Sequence, residues 1–392
     1  MDSLLIRNAT LIDGIADEPR KGVDILIRDG LLERVSEGGE AVSPADRTID
    51  ADGRVVMPGL VDGHMHLNQG PYKPVKALME TLRQGVTTVA TVQGMPARDV
   101  VCLRDAIEDG TLESCSRLIA GEVVAATNGH VKGRVADGPW EIRKAVRELV
   151  QAGVDFIKTA ASGGFYRRDE EMWWEDYTFE ELEALAQEAH SVGKRVAVHA
   201  HTQPGLNNSI ACGIDIVYHG AHIDQEALDG IAEKGLFYIP TLRVTSQENV
   251  EYKRKVGRDW ESERMAVAHP IHREGVRKAR EMGIPVGVGT DLGVPIEGGF
   301  PPDFPWRVGG TAFELAELVQ CGFSPMEAIV AGTRVTAEAF GKAESIGSIQ
   351  AGRKADLIVV DGDPLQDITI LQNPENVLLV VKDGEVKVRR GL

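Results

Sequence analysis

Eight short apolar runs alternate with helical stretches through the middle of the chain, and both chain ends carry short strands closed by Asp-Gly turns. Together these predict an α/β chain. The expected architecture is a (β/α)8 TIM-type barrel over residues 58–345, with a small discontinuous β-sandwich built from residues 1–57 and 346–392. A single barrel of that size accommodates most of the 392 residues without a second large domain.

At the N-terminal end the strands are Leu4-Leu5-Ile6, Asp24 to Ile27 before Asp29-Gly30, and Arg47 to Asp50 before Asp52-Gly53. The C-terminal end reads the same way, with Ala355 to Val360 before Asp361-Gly362 and Val377 to Val381 before Asp383-Gly384. Between them the eight runs are Gly59-Leu60-Val61, Val86 to Val89, Leu118-Ile119-Ala120, Val154 to Ile157, Val196-Ala197-Val198, Ile214 to Val217, Leu236 to Ile239 and Ile284 to Val288. Near-continuous apolar strands separated by helices imply a parallel sheet covered on both faces. Thr178-Phe179-Glu180-Glu181 is a capping-box start for one of those helices, which runs to Val192 with Gly193 beyond it.

Composition narrows the function. Sixty acidic against 43 basic residues give a net charge of −17, which disfavours nucleic acid, since its affinity comes from cations on phosphates. No window is apolar over about 18 residues, so no membrane span is expected. No signal peptide is read at the N-terminus, so a cytoplasmic location is expected. Cys102, Cys115, Cys212 and Cys321 are scattered without a C-x-x-C pair and read as reduced core thiols. Asn8 and Asn207 sit in chance glycosylation motifs. The 43 glycines suit a fold with many tight turns.

The polar chemistry falls at the C-terminal ends of the apolar runs, where barrel active sites lie. The first run leads into His64-Met65-His66, the fourth into Lys158, the fifth into His199-Ala200-His201, the sixth into His219 and the eighth into Asp291. On a strand, His-x-His aims both rings to one face, and imidazole nitrogen suits borderline divalent metals. Each residue alone has a plainer explanation: a core histidine, a snorkelling lysine, a capping aspartate. Their joint placement on one rim does not. A lysine inside a barrel must snorkel, pair, lose its proton or be modified.

These residues resemble the amidohydrolase superfamily, and within it the imidazolonepropionase-related and prolidase-like members. The resemblance rests on Pro58-Gly59-Leu60-Val61-Asp62-Gly63-His64-Met65-His66, on Phe156 to Gly164, on Val198 to His201, on His219-Gly220, and on Ile346 to Val360. It implies a binuclear metal hydrolase. His64 and His66 would bind one ion, and His199 and His219 a second. Lys158, carboxylated by CO2, would bridge them, and Asp291 would bind the first ion and shuttle protons. In resembling enzymes the first histidine of the strand-five pair is the ligand, while the second, here His201, polarises the substrate. His130 falls where similar enzymes carry a Gly-Gly-His loop and, with Tyr166, Arg167 and Tyr218, is a candidate for substrate contact. Two departures touch substrate-facing positions: Tyr218 stands where Glu is usual, and 292–302 lack a His-Gly signature. The loop after Lys158 holds Tyr166, Arg167 and Arg168, then Trp173 and Trp174, which with Tyr177 are expected as an aromatic wall or as ordinary packing. Arg167 or Arg168 would pair with a substrate carboxylate or lie solvated in the loop. His190, His222, His269 and His272 are read as structural.

The expected reaction is hydrolysis of a small linear or cyclic amide by a hydroxide bridging two ions about 3.5–4 Å apart. Zinc is the expected metal, with manganese, iron and cobalt as alternatives, and a homo-oligomer is implied. A deaminase of a cyclic amidine or aromatic amine is the competing enzyme reading, which Lys158 argues against. A non-catalytic barrel scaffold is the third, and the filled rim positions argue against it.

Overall fold

The computed structural model describes residues 3–37, 44–67, 72–293 and 309–392. Its strands, in chain order, are β1 (Leu4–Leu11), β2 (Arg20–Arg28), β3 (Leu31–Glu37), β4 (Arg47–Asp50), β5 (Val55–Pro58), β6 (Leu60–His66), β7 (Val86–Gln93), β8 (Arg117–Ala125), β9 (Arg134–Val135), β10 (Phe156–Ala160), β11 (Val196–Ala200), β12 (Ile216–His219), β13 (Phe237–Ile239), β14 (Leu292–Gly293), β15 (Leu357–Val360), β16 (Val377–Lys382) and β17 (Glu385–Arg389).

The chain ends do pair. Strands β17-β16-β15-β5-β1-β2-β3 follow one another in a single eight-stranded sheet, with β4 joined to β1. This corrects the expected sandwich of two sheets. β1 forks, pairing β4 through Leu4 to Arg7 and β5 through Thr10 and Leu11, so one sheet folds around its own core. Ile6, Ile25, Val56, Leu357, Val359 and Val381 fill that core. The alternate residues Val55, Met57, Ile358, Val360 and Val380 face the main core of the molecule. Burial on both faces explains why these strands read as unbroken apolar runs.

The middle of the chain forms a curled parallel sheet in the order β13-β12-β11-β10-β8-β7-β6-β14, with β9 added to β8. Helices alternate with its strands, among them Phe179–Ser191, whose capping box between Thr178 and Glu181 is complete as expected. The inside of the curl is filled by Val92, Ile119, Phe156, Ala197, Ile216, Tyr218 and Ile239. Fully burying each of the larger side chains contributes about 1.5–3 kcal/mol. The outside packs into the helix layer through residues such as Val89, Leu118, Ile157, Val198 and Val217.

Seven of the eight expected runs overlap strands of this sheet. The eighth, 284–288, is not a ladder strand. It makes one parallel bridge, Tyr238 to Val286. It also hydrogen-bonds on both sides: Tyr238 N to Pro285 O at 3.0 Å, and Gly63 N to Val288 O at 2.8 Å. Three glycines on or opposite this segment explain how close it comes. A Cβ on Gly289 would stand 2.6 Å from His64 Cβ, one on Gly63 would stand 2.9 Å from Val288 O, and one on Gly287 would meet Thr336 Oγ1 at 3.0 Å.

The four cysteines are free, but only Cys115 and Cys321 are buried; Cys102 is exposed and Cys212 half-buried, which corrects the reading of four core thiols. Among the described residues no helix is long and apolar enough to cross a membrane.

Candidate metal centre

Every ionisable residue expected on the rim converges on one cavity of about 350 Å³. His64 and His66 leave the end of β6, where its register against β7 shifts between Asp62 and Met65. Asp291 reaches them from the segment after 284–288. Its backbone N–H donates to His64 O at 2.8 Å. Its Oδ1 lies 2.8 Å from His66 Nε2 and 3.2 Å from His64 Nε2. These three side chains form one potential metal-binding group, and His199, His201 and His219 form a second. The His64 and His219 rings are 4.9 Å apart, so the two groups adjoin. Lys158, on β10 opposite Ala197 of β11, sends its Nζ over the Tyr218 ring at 4.2 Å.

The backbone is strained where these side chains are presented. His219 and Asp291 have φ of 69° and 53°, and Thr241, which touches His219, has φ of 52°. Left-handed conformations at non-glycine residues persist only where surroundings over-determine them, and they cluster at functional sites.

Burial sets the charge state. It pushes His64 down to about 3 against the opposing pull of Asp291. Burial, helped by neighbouring imidazoles, holds His199, His201 and His219 well below the usual histidine range. Lys158 is likewise well below its ordinary value through burial, only partly offset by Asp291. Burial alone would raise Asp291, but its hydrogen bonds from His64 and His66 outweigh that and hold it low. The result is four neutral imidazoles, an amine that sheds its proton easily and one carboxylate, which is the donor state a divalent cation requires. The buried Nδ1 atoms of His64 and His201 have no hydrogen-bond partner. Buried ring nitrogens without a partner call for a ligand atom that the protein itself does not supply.

His219 Nδ1 sits 2.6 Å from Thr241 Oγ1. That hydroxyl donates its only proton to Pro240 O at 2.6 Å. His219 Nδ1 must therefore be the donor, which leaves Nε2 as a bare lone pair for the centre.

A family model for the amidohydrolase family matches residues 55–387. The chain belongs to the amidohydrolase family. It is a hydrolase, and amidohydrolases are in general metal-dependent. It is 26% identical to an ochratoxinase of Aspergillus niger over 94% of this chain and 83% of that protein. A crystal structure of a Xaa-Pro dipeptidase with methionine bound in its active site is 30% identical, with a TM-score of 0.84 over 98% of this chain and 99% of that one. A putative prolidase from Bifidobacterium longum is also 30% identical, with a TM-score of 0.85 over 100% of this chain and 96% of that one.

In this amidohydrolase the four residues expected around the substrate are placed differently from one another. His130, Tyr166 and Arg167 line the cavity. His130 stacks on His199 at 4.0 Å, with its Nδ1 held 2.7 Å from Glu170 Oε1. Arg167 donates to Gly129 O at 2.9 Å and pairs with Asp169 at 3.1 Å. Tyr218 does not line the cavity: its hydroxyl donates to Gly63 O at 2.9 Å, and its ring edge meets His64 at 4.2 Å. Arg168 turns towards Trp260, 5.6 Å away. Trp173 and Trp174 are exposed and Tyr177 is buried with its hydroxyl on Ala136 O, so these three form no wall of the cavity. Three of the four histidines read as structural have local side-chain partners: His190 with Asp215 at 2.8 Å, His269 with Thr245 O at 2.7 Å, and His272 Nδ1 with Thr245 Oγ1 at 2.8 Å. Residues 294–302 after Asp291 lie outside the described residues.

Several residues were not singled out by sequence. Glu170 orients His130 from a loop 40 positions away, and Thr241 orients His219. Asp62 takes hydrogen bonds from His64 N at 3.0 Å, Thr290 N at 3.1 Å and Thr290 Oγ1 at 2.8 Å, tying β6 to the segment bearing Asp291. Arg243 donates to Thr290 O at 2.6 Å and Asp291 O at 2.8 Å. Only Asp62 carried a local signal, a carboxylate inside an apolar run.

Proposed function

We propose that this amidohydrolase cleaves an amide C–N bond of a small molecule at two divalent metal ions. The observation that carries the reading is the pair of adjoining donor groups, His64/His66/Asp291 and His199/His201/His219, beside a buried lysine in one cavity. His64, His66 and Asp291 would hold one ion, and His199 and His219 the other, with Lys158 as a carbamate between them. Zinc suits this nitrogen-and-oxygen donor set, with manganese, iron and cobalt as alternatives. When bound, such ions polarise the amide carbonyl and bring the pKa of water near neutrality.

The chain's own groups do the rest. The Asp291 carboxylate takes the proton of the attacking water and returns it to the leaving nitrogen, so a C–O bond forms as the C–N bond breaks. His201, with its unpartnered Nδ1, donates to the developing oxyanion. Glu170 keeps the His130 ring stacked against His199, which leaves its Nε2 for the substrate. Arg167 and Tyr166 at the rim fit an acyl amino acid or dipeptide carboxylate, a class supported by the likeness to a Xaa-Pro dipeptidase and a putative prolidase. The hydrogen bonds of 284–288 to β13 and β6 support closure of the parallel sheet into a barrel spanning 58–345, with 1–57 and 346–392 as the second domain. A cytoplasmic homo-oligomer acting on a small-molecule amide, with no nucleic acid or membrane partner, completes the proposal.

The test is a panel of dipeptides and N-acyl amino acids given to metal-loaded protein, with metal content measured in parallel. Lys158→Ala should lose both hydrolysis and the second equivalent of metal. Full activity in that variant would overturn the two-ion reading.

A further inference from the structure

A second cavity, of about 640 Å³, opens beside the metal centre and shares His66 and Gln93 with it. An apolar part of its wall is formed by Met95, Pro96, Ala97 and Leu149. One carboxylate interrupts them. Glu122 lies on β8, where its outward-facing neighbours Leu118, Ala120 and Val124 are core residues. By that pattern position 122 calls for another aliphatic side chain. Glu122 is only 6% exposed, and its one hydrogen bond is from Val123 N–H at 2.7 Å. Among the described residues, the two cations that also line the cavity form no ion pair with it. Arg134 is engaged by Glu148 at 2.7 Å and Glu141 at 3.3 Å, and Lys132 is exposed. A carboxylate this deeply buried in an aliphatic row, with a single hydrogen bond and its side chain on a cavity, costs stability unless a cation or donor reaches it.

We propose that this chamber is a subsite for a protonated amine carried on an apolar arm of the substrate, with Glu122 as its counter-ion. The inference rests on the amide lying at the two donor groups, since His66 and Gln93 line both spaces. An arm of aliphatic length would pass His66, pack on Met95 and Leu149, and end at Glu122. The carboxyl, pushed up to about 7 by burial, would be drawn into its ionised form by such a guest.

Titration of metal-loaded protein with n-hexylamine and n-hexanol at neutral pH tests this. Hexylammonium should bind more tightly than hexanol. Glu122→Gln should weaken hexylammonium by about tenfold or more and leave hexanol unchanged, as expected for loss of a charge-assisted contact. Glu122→Leu should do the same while raising Tm, which separates lost recognition from damaged folding. Lys158→Ala should still bind hexylammonium although it hydrolyses nothing. Failure of wild-type hydrolysis would therefore overturn the catalytic reading, while this binding result judges the subsite. Equal losses for both probes, unchanged hexylammonium affinity in Glu122→Gln, or binding that depends on Lys158 and not Glu122 would overturn the proposal.

Discussion

As the proposed ligand, His219 would be ambiguous without Thr241, because either ring nitrogen of a neutral imidazole can carry the proton. The Thr241 hydroxyl, already donating to Pro240 O, fixes it on Nδ1. Thr241→Val keeps the shape and the left-handed backbone but loses the acceptor. Metal affinity should fall by about 10–100-fold, read by competition with a chelator, with little change in Tm. Glu122 gives a residue-scale prediction in pH. Its carboxyl rises from 4.5 to about 7 on folding, because burial penalises the anion. The folded state therefore keeps a proton that the unfolded state has released. Stability from this group is whole below about pH 4.5 and is lost as pH rises to about 7, amounting to about 3 kcal/mol. The Tm of the protein relative to Glu122→Gln should fall between pH 5 and pH 8; a constant difference would refute the shift. At this scale the cavity-lining histidines, Lys158 and Asp291 were legible because each ends an apolar run, and a charge or imidazole stands out there. Thr241, Glu170 and Arg243 were not legible. Their partners are set by loop geometry, and nothing in a threonine or glutamate within a polar loop marks the histidine it will meet.

At the scale of elements, the segment 284–291 decides whether the first donor group forms at all. Asp291 has no neighbour in sequence to hold it near β6. Asp62 and Arg243 fasten the preceding Thr290, and Gly289 lets the chain lie against His64. Gly289→Ala would force its Cβ to within 2.6 Å of His64 Cβ. Overpacking of this kind costs about 1–3 kcal/mol. The larger effect should be at the centre: displaced His64 and Asp291 should lower bound metal towards one equivalent, measured by elemental analysis on folded protein. Two full equivalents with normal affinity would show that the close approach is dispensable. Seven apolar runs could be read as strands because burial between helices and a filled interior requires apolar residues on both faces. The eighth has the same composition, Ile284-Pro285-Val286-Gly287-Val288, yet Pro285 lacks a backbone N–H and the glycine interrupts it, so only one isolated bridge forms.

Across the whole molecule, the two sheets are joined by a partly buried charge cluster. Arg117 at the start of β8 pairs with Asp356 just before β15 and with Asp383 just after β16. Asp383 also receives Lys354 and Lys382, both at 2.9 Å. Burial would lower the Arg117 pKa, but the two carboxylates outweigh it and hold the guanidinium charged. The same contacts keep Asp383 well below the usual carboxylate range. Pairing of the chain ends was legible because both ends carry the same strand-and-Asp-Gly pattern. The single folded sheet was not, since it depends on β1 choosing three partners. Nor was this cluster, whose members lie 239 and 266 positions apart. Arg117→Met should cost about 3–5 kcal/mol, because Asp356 would be left as an uncompensated buried charge. The loss should appear first at the joint. Hydrogen exchange should quicken in β15 and β16, which Asp356 and Asp383 flank, before it changes in β10, β11 and β12. Metal content should hold, because the proposed ligands lie towards the far ends of other strands and on 284–291, whereas the Arg117 side chain bonds to Thr88, Asp356 and Asp383. If exchange quickened uniformly with no fall in stability of the chain-end sheet, the cluster would be no more than one ion pair among many. If metal were lost together with the chain-end sheet, the two sheets would be one cooperative unit.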